Sequence, residues 1–262
     1  MRKLLCAILF AAASLCVAQT TPSPSAVPDV EHSPAAQAAL SLERWRESRV
    51  SVYMNDYGEL AQYQEANVKL PPVGTRENRV IFFGDSITWG WHLDNYFPGK
   101  DYINRGISGQ TTSQMLVRFH QDVINLHPKV VVVLAGTNDI AGNTGPVTVE
   151  QIEDNYASLA ELARAHSVQI IFSSVTPIHN YFPERSSFFL QRSPQKIVEL
   201  NHWLRQYCQV NGLIYLDYYS AMVDSNGMMR KDLANDGLHP NDAGYRIMAP
   251  LAEKAIEAAL SK

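Results

Sequence analysis

From Val80 onward the chain alternates between unbroken apolar runs and stretches where apolar residues recur every three or four positions. Residues 80–83 and 130–135 are continuous β-branched, aromatic or aliphatic runs, the pattern of strands buried on both faces. Shorter runs at 102–104, 168–172 and 213–216 are further strand candidates. Between them, residues 112–126 carry Met115, Leu116, Phe119 and Val123 on one helical face. Residues 149–165 repeat Ile152, Tyr156, Leu159, Leu162 and Ala163 at the same period, residues 194–210 open a helix on Pro194, and residues 243–260 close the chain as another. Strands alternating with helices predict an α/β fold of parallel strands joined by right-handed crossovers. Residues 177–194 follow a strand without clear periodicity and contain His179, Tyr181, Phe182, Arg185, Phe188 and Phe189. A connection that long inside a compact domain marks a functional or mobile loop, and its aromatics suit a substrate cleft as well as surface packing.

Before Val80 the pattern weakens. Residues 36–50 offer helical spacing through Ala39, Leu40, Leu42 and Trp45, and residues 53–68 a second helical piece, ended by Pro71, Pro72 and Gly74. Residues 36–75 therefore read as a helical extension packed on a main domain over 76–262. Residues 19–35 are rich in Pro, Thr and Ser, as in a flexible linker. Residues 1–18 have the order of a secretory signal: Arg2 and Lys3, then an apolar stretch over 4–17, then small residues up to Ala18. Cleavage near Ala18 makes the protein secreted or periplasmic. A lipoprotein reading through Cys16 is weaker, since bulky Leu15 precedes it.

At 262 residues and 46% hydrophobic content, the chain can bury one substantial core. The formal net charge of −4 becomes −6 once Arg2 and Lys3 leave with the signal, so nothing indicates a nucleic acid or an anionic membrane as partner. The leading apolar run is too short for a spanning helix, and no stable membrane anchor is expected. Of three cysteines, Cys6 and Cys16 go with the signal, which leaves Cys208 with no partner for an intramolecular disulfide and reads as a buried small residue.

The candidate chemistry starts at the carboxyl end of the first strand, where Gly84, Asp85 and Ser86 follow the apolar run. In open α/β sheets ligands and reactions collect at that end. Ser86 is the candidate nucleophile and needs a base held by a carboxylate. Most of the eight histidines lie in helical patterns or the linker; His239 instead lies in a turn-rich segment, three residues after Asp236. That spacing on a Gly-Pro bend lets the carboxylate fold back onto the imidazole. Oxyanion donors are available after successive strands: the Ser86 and Gly109 N–H groups and the Asn138 side chain. Singly, each segment is also an ordinary turn. Asp85 reads as a brace for the nucleophile loop, and Arg105 as either a contact for an anionic substrate or one half of an ion pair. Trp89, Trp91, Tyr96 and Phe97 suit an apolar helix face or a sugar-stacking rim. No histidine pair at the helical spacing H-x-x-x-H and no Gly-rich phosphate loop is present in the sequence.

The run Gly-Asp-Ser-Ile at 84–87, Gly109 within Ile-Ser-Gly, Asn138 within Gly-Thr-Asn-Asp, and Asp236 with His239 resemble the SGNH hydrolases, which include the GDSL lipases and esterases. The likeness covers about residues 78–260, with Ile87 where leucine is usual, and is nearest in character to platelet-activating-factor acetylhydrolase-like bacterial esterases. It implies a flavodoxin-like three-layer α/β/α sandwich with a five-stranded parallel sheet. It implies Ser86 as nucleophile, His239 as base and Asp236 as orienter, with Ser86, Gly109 and Asn138 as the oxyanion hole, and neither metal nor organic cofactor. The α/β-hydrolase elbow G-x-S-x-G fails at Thr88. The expected substrate is a small-molecule or carbohydrate ester with an acetyl or short acyl group. Lysophospholipase or thioesterase action on longer chains shares every motif, and a non-catalytic carbohydrate-binding protein can share the scaffold. Flavin binding is the remotest reading. The sequence carries no signal for oligomeric state.

Overall fold

Five parallel strands form one sheet: β1 (Val80–Gly84), β2 (Tyr102–Gly106), β3 (Val130–Leu134), β4 (Gln169–Ser173) and β5 (Ile214–Leu216), in the order β2-β1-β3-β4-β5. The computed structural model describes residues 33–74 and 78–262. The expected signal at 1–18, its cysteines, His32, most of the 19–35 linker and the junction expected at 75–76 lie outside the described residues.

The helices along the chain are α1 (Pro34–Asn55), α2 (Ala61–Lys69), α3 (Ser86–Trp89), α4 (Thr112–Asp122), α5 (Thr137–Ala141), α6 (Val149–Ala165), α7 (Ser187–Leu190), α8 (Pro194–Asn211), α9 (Tyr219–Met222) and α10 (Asp242–Leu260). Every residue of β1 and β3 is buried, because helices cover both faces of the central strands. Side chains alternate between two cores. Ile81, Phe83, Val131, Val133, Ile170 and Phe172 pack with the apolar faces of α4, α6 and α8. Val80, Phe82, Val130, Val132 and Ile171 pack with α10, α9 and the segment holding Trp91 and Phe97. The result is the expected α/β/α sandwich. Since β1 sends its crossover to β2 on one side and the chain then returns to β3 on the other, the sheet switches direction between β1 and β3. That crevice is where such sheets bind ligands.

Several boundaries differ from the sequence expectation. Residues 36–50 and 53–68 are not two helices broken near 51. Helix α1 begins at Pro34, capped by the Ser33 side chain, so the end of the expected linker is helical, and α1 runs unbroken to Asn55. The break falls at 56–60, where Asp56 accepts the Leu60 and Ala61 N–H groups and Glu59 takes a left-handed φ of 54°. The face of α1 turned to the protein carries Ala38, Leu42, Trp45 and Arg46, whereas Ala39 and Leu40 are exposed. Helix α4 stops at Asp122; a 3-10 turn follows, and His127, at φ 53°, turns the chain into Pro128 and β3. The aperiodic stretch 177–194 contains a 3-10 turn (Pro183–Arg185) and α7, both too short to show a period, and α7 packs on α1.

The N-terminal helices dock through polar contacts. Gln114 Nε2 donates to Tyr57 O (2.9 Å), Gln110 Nε2 to Gly58 O (3.1 Å), and Asn67 Nδ2 to Asp122 Oδ1 (2.8 Å). Arg105 takes part here: its Nε donates to Asn67 Oδ1 at 2.8 Å and its guanidinium lies 4.7 Å from the centre of the Tyr63 ring. It serves this interface, so the anionic-substrate reading is set aside.

Candidate active site

The site grows out of the carboxyl ends of β1, β2 and β3. Leaving β1, the chain turns at Gly84, where an added Cβ would sit 2.1 Å from Thr88 Oγ1 and 2.6 Å from Leu134 O. Only glycine lets the strand pass that close to its neighbours. Asp85 caps α3, its Oδ1 accepting the Ile87 N–H at 2.9 Å, which is the bracing role expected of it. Ser86 is thereby the first residue of α3, with its N–H among the unpaired donors of a helix start.

His239 reaches Ser86 from the turn between β5 and α10. Ser86 Oγ and His239 Nε2 are 2.9 Å apart, and His239 Nδ1 lies 2.7 Å from Asp236 Oδ2. The other oxygen of Asp236 accepts the Leu238 and His239 N–H groups at 3.0 and 2.8 Å. Burial works to raise the Asp236 pKa, but these hydrogen bonds and the neighbouring imidazole prevail and hold it well below the usual carboxylate range. Asp236 is thus ionised near neutrality, and its Oδ2 can only accept. Nδ1 of His239 then carries a proton, so that in the neutral imidazole it is Nε2 that holds the lone pair facing Ser86.

Gly109 and Asn138 approach the same point from the loops after β2 and β3. Gly109 has φ 79°, and its carbonyl is turned away to accept from Asn143 Nδ2 at 2.9 Å. Asn138 is the second residue of α5, which Gly136 caps, and donates from Nδ2 to Gln110 O at 3.0 Å. Among the described residues, no protein acceptor takes the Ser86 or Gly109 N–H. The structure brings all five expected residues together: Ser86, Gly109, Asn138, His239 and, behind the imidazole, Asp236.

Two further carboxylates lie buried close by. Burial pushes Asp85 up to about 6 against its bond to Ile87 N, and Asp139 up to about 6 against the bonds from the Thr112 N–H and hydroxyl. A cavity of about 190 Å³ opens above Ser86, walled by Gly109, Asn138, Phe188, Leu42 and Trp45. Phe188 meets His239 edge-on, ring centres 5.5 Å apart. Trp91 does not reach the cavity; it stacks on Tyr245 at 5.2 Å, within the core that also holds Phe97, while Trp89 points outward at 57% exposure. Among the described residues, no group of three or more His, Cys, Asp or Glu is placed to hold a metal.

Residues 82–247, more than half the chain, match the GDSL-like Lipase/Acylhydrolase family. The chain belongs to this family, the SGNH type of ester hydrolase. A GDSL-like lipase from Bacteroides thetaiotaomicron is 40% identical, covers 78% of this chain and 100% of its own, and superposes with a TM-score of 0.73. An uncharacterised lipoprotein of Bacillus subtilis is 31% identical over 118 residues, 38% of this chain and 49% of its own. The esterase TesA of Pseudomonas aeruginosa is 25% identical over 148 residues, 54% of this chain and 63% of its own. The chain thus spans about half to two thirds of the length of these two curated relatives.

Three parts of this GDSL-like acylhydrolase escaped the sequence reading. Arg192, buried in the turn between α7 and α8, donates from Nη2 to Asn138 Oδ1 at 2.9 Å and from Nε to Thr137 Oγ1 at 3.0 Å. Burial lowers its pKa to about 10 against the pull of Asp85 and Asp236, which leaves it cationic. His179 braces the turn carrying Asp236: its N–H donates to Gly237 O at 2.9 Å and its ring lies 3.2 Å from Ala234 O. Since Nδ1 accepts the Tyr181 N–H, Nε2 is the protonated nitrogen and donates to that carbonyl. Helix α1 walls the cavity. The only hint of the first two lay in the aperiodic stretch 177–194; nothing in the apolar spacing of α1 tied it to the site.

Proposed function

We propose that this protein is an exported serine esterase that hydrolyses small acyl esters, acetyl or short-chain groups on small molecules or carbohydrate, through Ser86, His239 and Asp236. The observation that carries the reading is the continuous relay from Ser86 Oγ through His239 to Asp236, at 2.9 and 2.7 Å. In the first step Nε2 of His239 takes the Ser86 proton as Oγ bonds to the ester carbonyl carbon, and the carbonyl π pair moves onto oxygen. The Ser86 N–H, the Gly109 N–H and the Asn138 amide surround the place where that charge develops. A single donor of this kind is typically worth about 3–4 kcal/mol in the transition state. The imidazolium, held by Asp236, returns its proton to the departing alkoxide as the C–O bond breaks, leaving an acyl-serine. Water then repeats the sequence: His239 takes its proton, hydroxide adds to the acyl carbon, and Ser86 departs with the proton back from Nε2.

The modest cavity favours short acyl groups over lipid chains. The expected leader at 1–18 supports export, as does the likeness to the Bacillus lipoprotein, and among the described residues no helix is long and apolar enough to cross a membrane. Hydrolysis of p-nitrophenyl acetate, butyrate and octanoate by wild type and Ser86→Ala tests the proposal. Turnover that falls with chain length and disappears with Ser86 supports it. An optimum at octanoate overturns the substrate class in favour of lysophospholipase or thioesterase action. Turnover that survives in the variant overturns the mechanism.

A further inference from the structure

The cavity above Ser86 has one wall that the α/β sandwich does not supply. It is formed by Leu42 and Trp45 of α1, a helix otherwise turned largely to solvent. The Trp45 indole lies directly against Gly109: a Cβ built on that glycine would meet Trp45 Cζ2 at 2.5 Å and Cη2 at 3.2 Å. The ring therefore covers the outer face of a proposed oxyanion donor. The helix is tied down around it. Arg46, the next residue, donates from Nε to Gly142 O at 2.8 Å; one turn on, Arg49 pairs with Glu59; and near the start of α1 the Ala38 carbonyl accepts from Gln191 Nε2 at 2.9 Å. Trp45 also meets Tyr53 edge-to-face, ring centres 6.5 Å apart. These contacts seat the indole against Gly109 as a wall of the cavity.

Which half of an ester meets that wall follows from the proton path. His239 must return its proton to the leaving oxygen, so the alcohol lies on the imidazole side, beside Phe188 and Leu238. With the alcohol on the imidazole side and the carbonyl oxygen directed at Gly109 and Asn138, the acyl group is left the remaining part of the cavity, which Trp45 and Leu42 border beside Gly109. We propose that Trp45 is the specificity-determining residue for acyl length, its indole closing the acyl side so that acetyl-sized groups fit and longer chains are turned away. This rests on the serine-esterase reading above, and it adds the part of the chain that selects the substrate.

The test is kcat/KM for p-nitrophenyl acetate, butyrate, hexanoate and octanoate on wild type, Trp45→Ala and Trp45→Phe, with Ser86→Ala as background. Wild type is expected to fall steeply beyond acetate. In Trp45→Ala the octanoate-to-acetate ratio rises at least tenfold, about fourfold for each methylene newly admitted to an apolar site, and Trp45→Phe falls between. A general loss of packing depresses all four esters alike and leaves the ratio unchanged; an unchanged ratio in both variants overturns the proposal. Trp45→Phe keeps an aromatic ring against Gly109 and carries the test if Trp45→Ala fails to fold. Absence of any Ser86-dependent turnover in wild type sinks the esterase reading and this inference with it. Ser86-dependent turnover with ratios indifferent to position 45 sinks the inference alone.

Discussion

Arg192 Nη2 donates to Asn138 Oδ1 at 2.9 Å, and this decides which edge of the Asn138 carboxamide faces the cavity. A guanidinium can only donate, and the Gln110 carbonyl on the other side of the amide can only accept. Both partners hold the oxygen inward and the NH2 group outward. Turning the amide over would oppose a donor to a donor and an acceptor to an acceptor in a buried place.

Arg192 therefore acts on the oxyanion through Asn138 as a positioning residue. Arg192→Leu is expected to lower kcat by about 10- to 100-fold, the range for losing a charged hydrogen bond, with KM within about twofold. Arg192→Lys should recover part of the loss. Asn138→Ala is expected to cost about 10²- to 10³-fold, and adding Arg192→Leu to it should cost little more, since the two residues act as one unit. Additive losses in that double variant would assign Arg192 a separate role.

Gly237 is expected to be intolerant of a side chain. Its φ is 84°, and a Cβ there would lie 2.2 Å from the His179 carbonyl oxygen. Gly237→Ala must displace either residues 236–239 or the His179 backbone. A loss of about 1–3 kcal/mol in urea unfolding is expected from the strained backbone alone, together with a fall in kcat as Asp236 and His239 shift. A variant with wild-type stability and turnover would contradict the rigid turn described above.

The buried Asp85 gives a pH signature of known sign. Its carboxyl is pushed by burial from the usual 3.8 up to about 6. Between those values the folded protein binds more protons at this site than the unfolded chain does. Its contribution to stability is therefore greatest below pH 4 and declines as pH rises to about 6. Asp85→Asn keeps an oxygen for the Ile87 N–H and removes the titration. The stability of wild type relative to this variant is expected to fall between pH 4 and 6 and to level off above, as measured by denaturant midpoints at half-unit intervals. A pH-independent difference would show that Asp85 does not titrate in this range.

The sheet was legible because its signal is local. β1 and β3 are buried on both faces and read as unbroken apolar runs, and the residues that meet at the site lie in Gly-, Asn- and Asp-rich turns just past strand ends or before the last helix. What escaped depends on contacts between segments far apart in the chain. Nothing near Arg192 signals that its side chain turns inward to Asn138, 54 residues away. The break between α1 and α2 has no Pro and rests on Asp56 and a left-handed Glu59, so the expected boundary fell several residues early. Arg105 read equally as a ligand for an anion or as one half of an ion pair, whereas its partner across the docked α2 is the neutral amide of Asn67, a contact no local pattern signals. Of the apolar spacing of α1, Leu42 and Trp45 face the protein while Ala39 and Leu40 are exposed, because the helix meets the protein through Ala38 and Arg46 beside them, a face the spacing alone does not define.

The most direct test of the central claim is covalent capture of the nucleophile. Wild type and Ser86→Ala are treated with a small fluorophosphonate and analysed by intact mass and peptide mapping. Activation of Ser86 by His239 and Asp236 predicts a single phosphonyl adduct on Ser86 Oγ, formed with loss of fluoride and in step with loss of esterase activity, and no adduct on the variant. Labelling of another serine of the cavity, such as Ser41 or Ser108, or equal labelling of the variant, would contradict Ser86 as the reacting group.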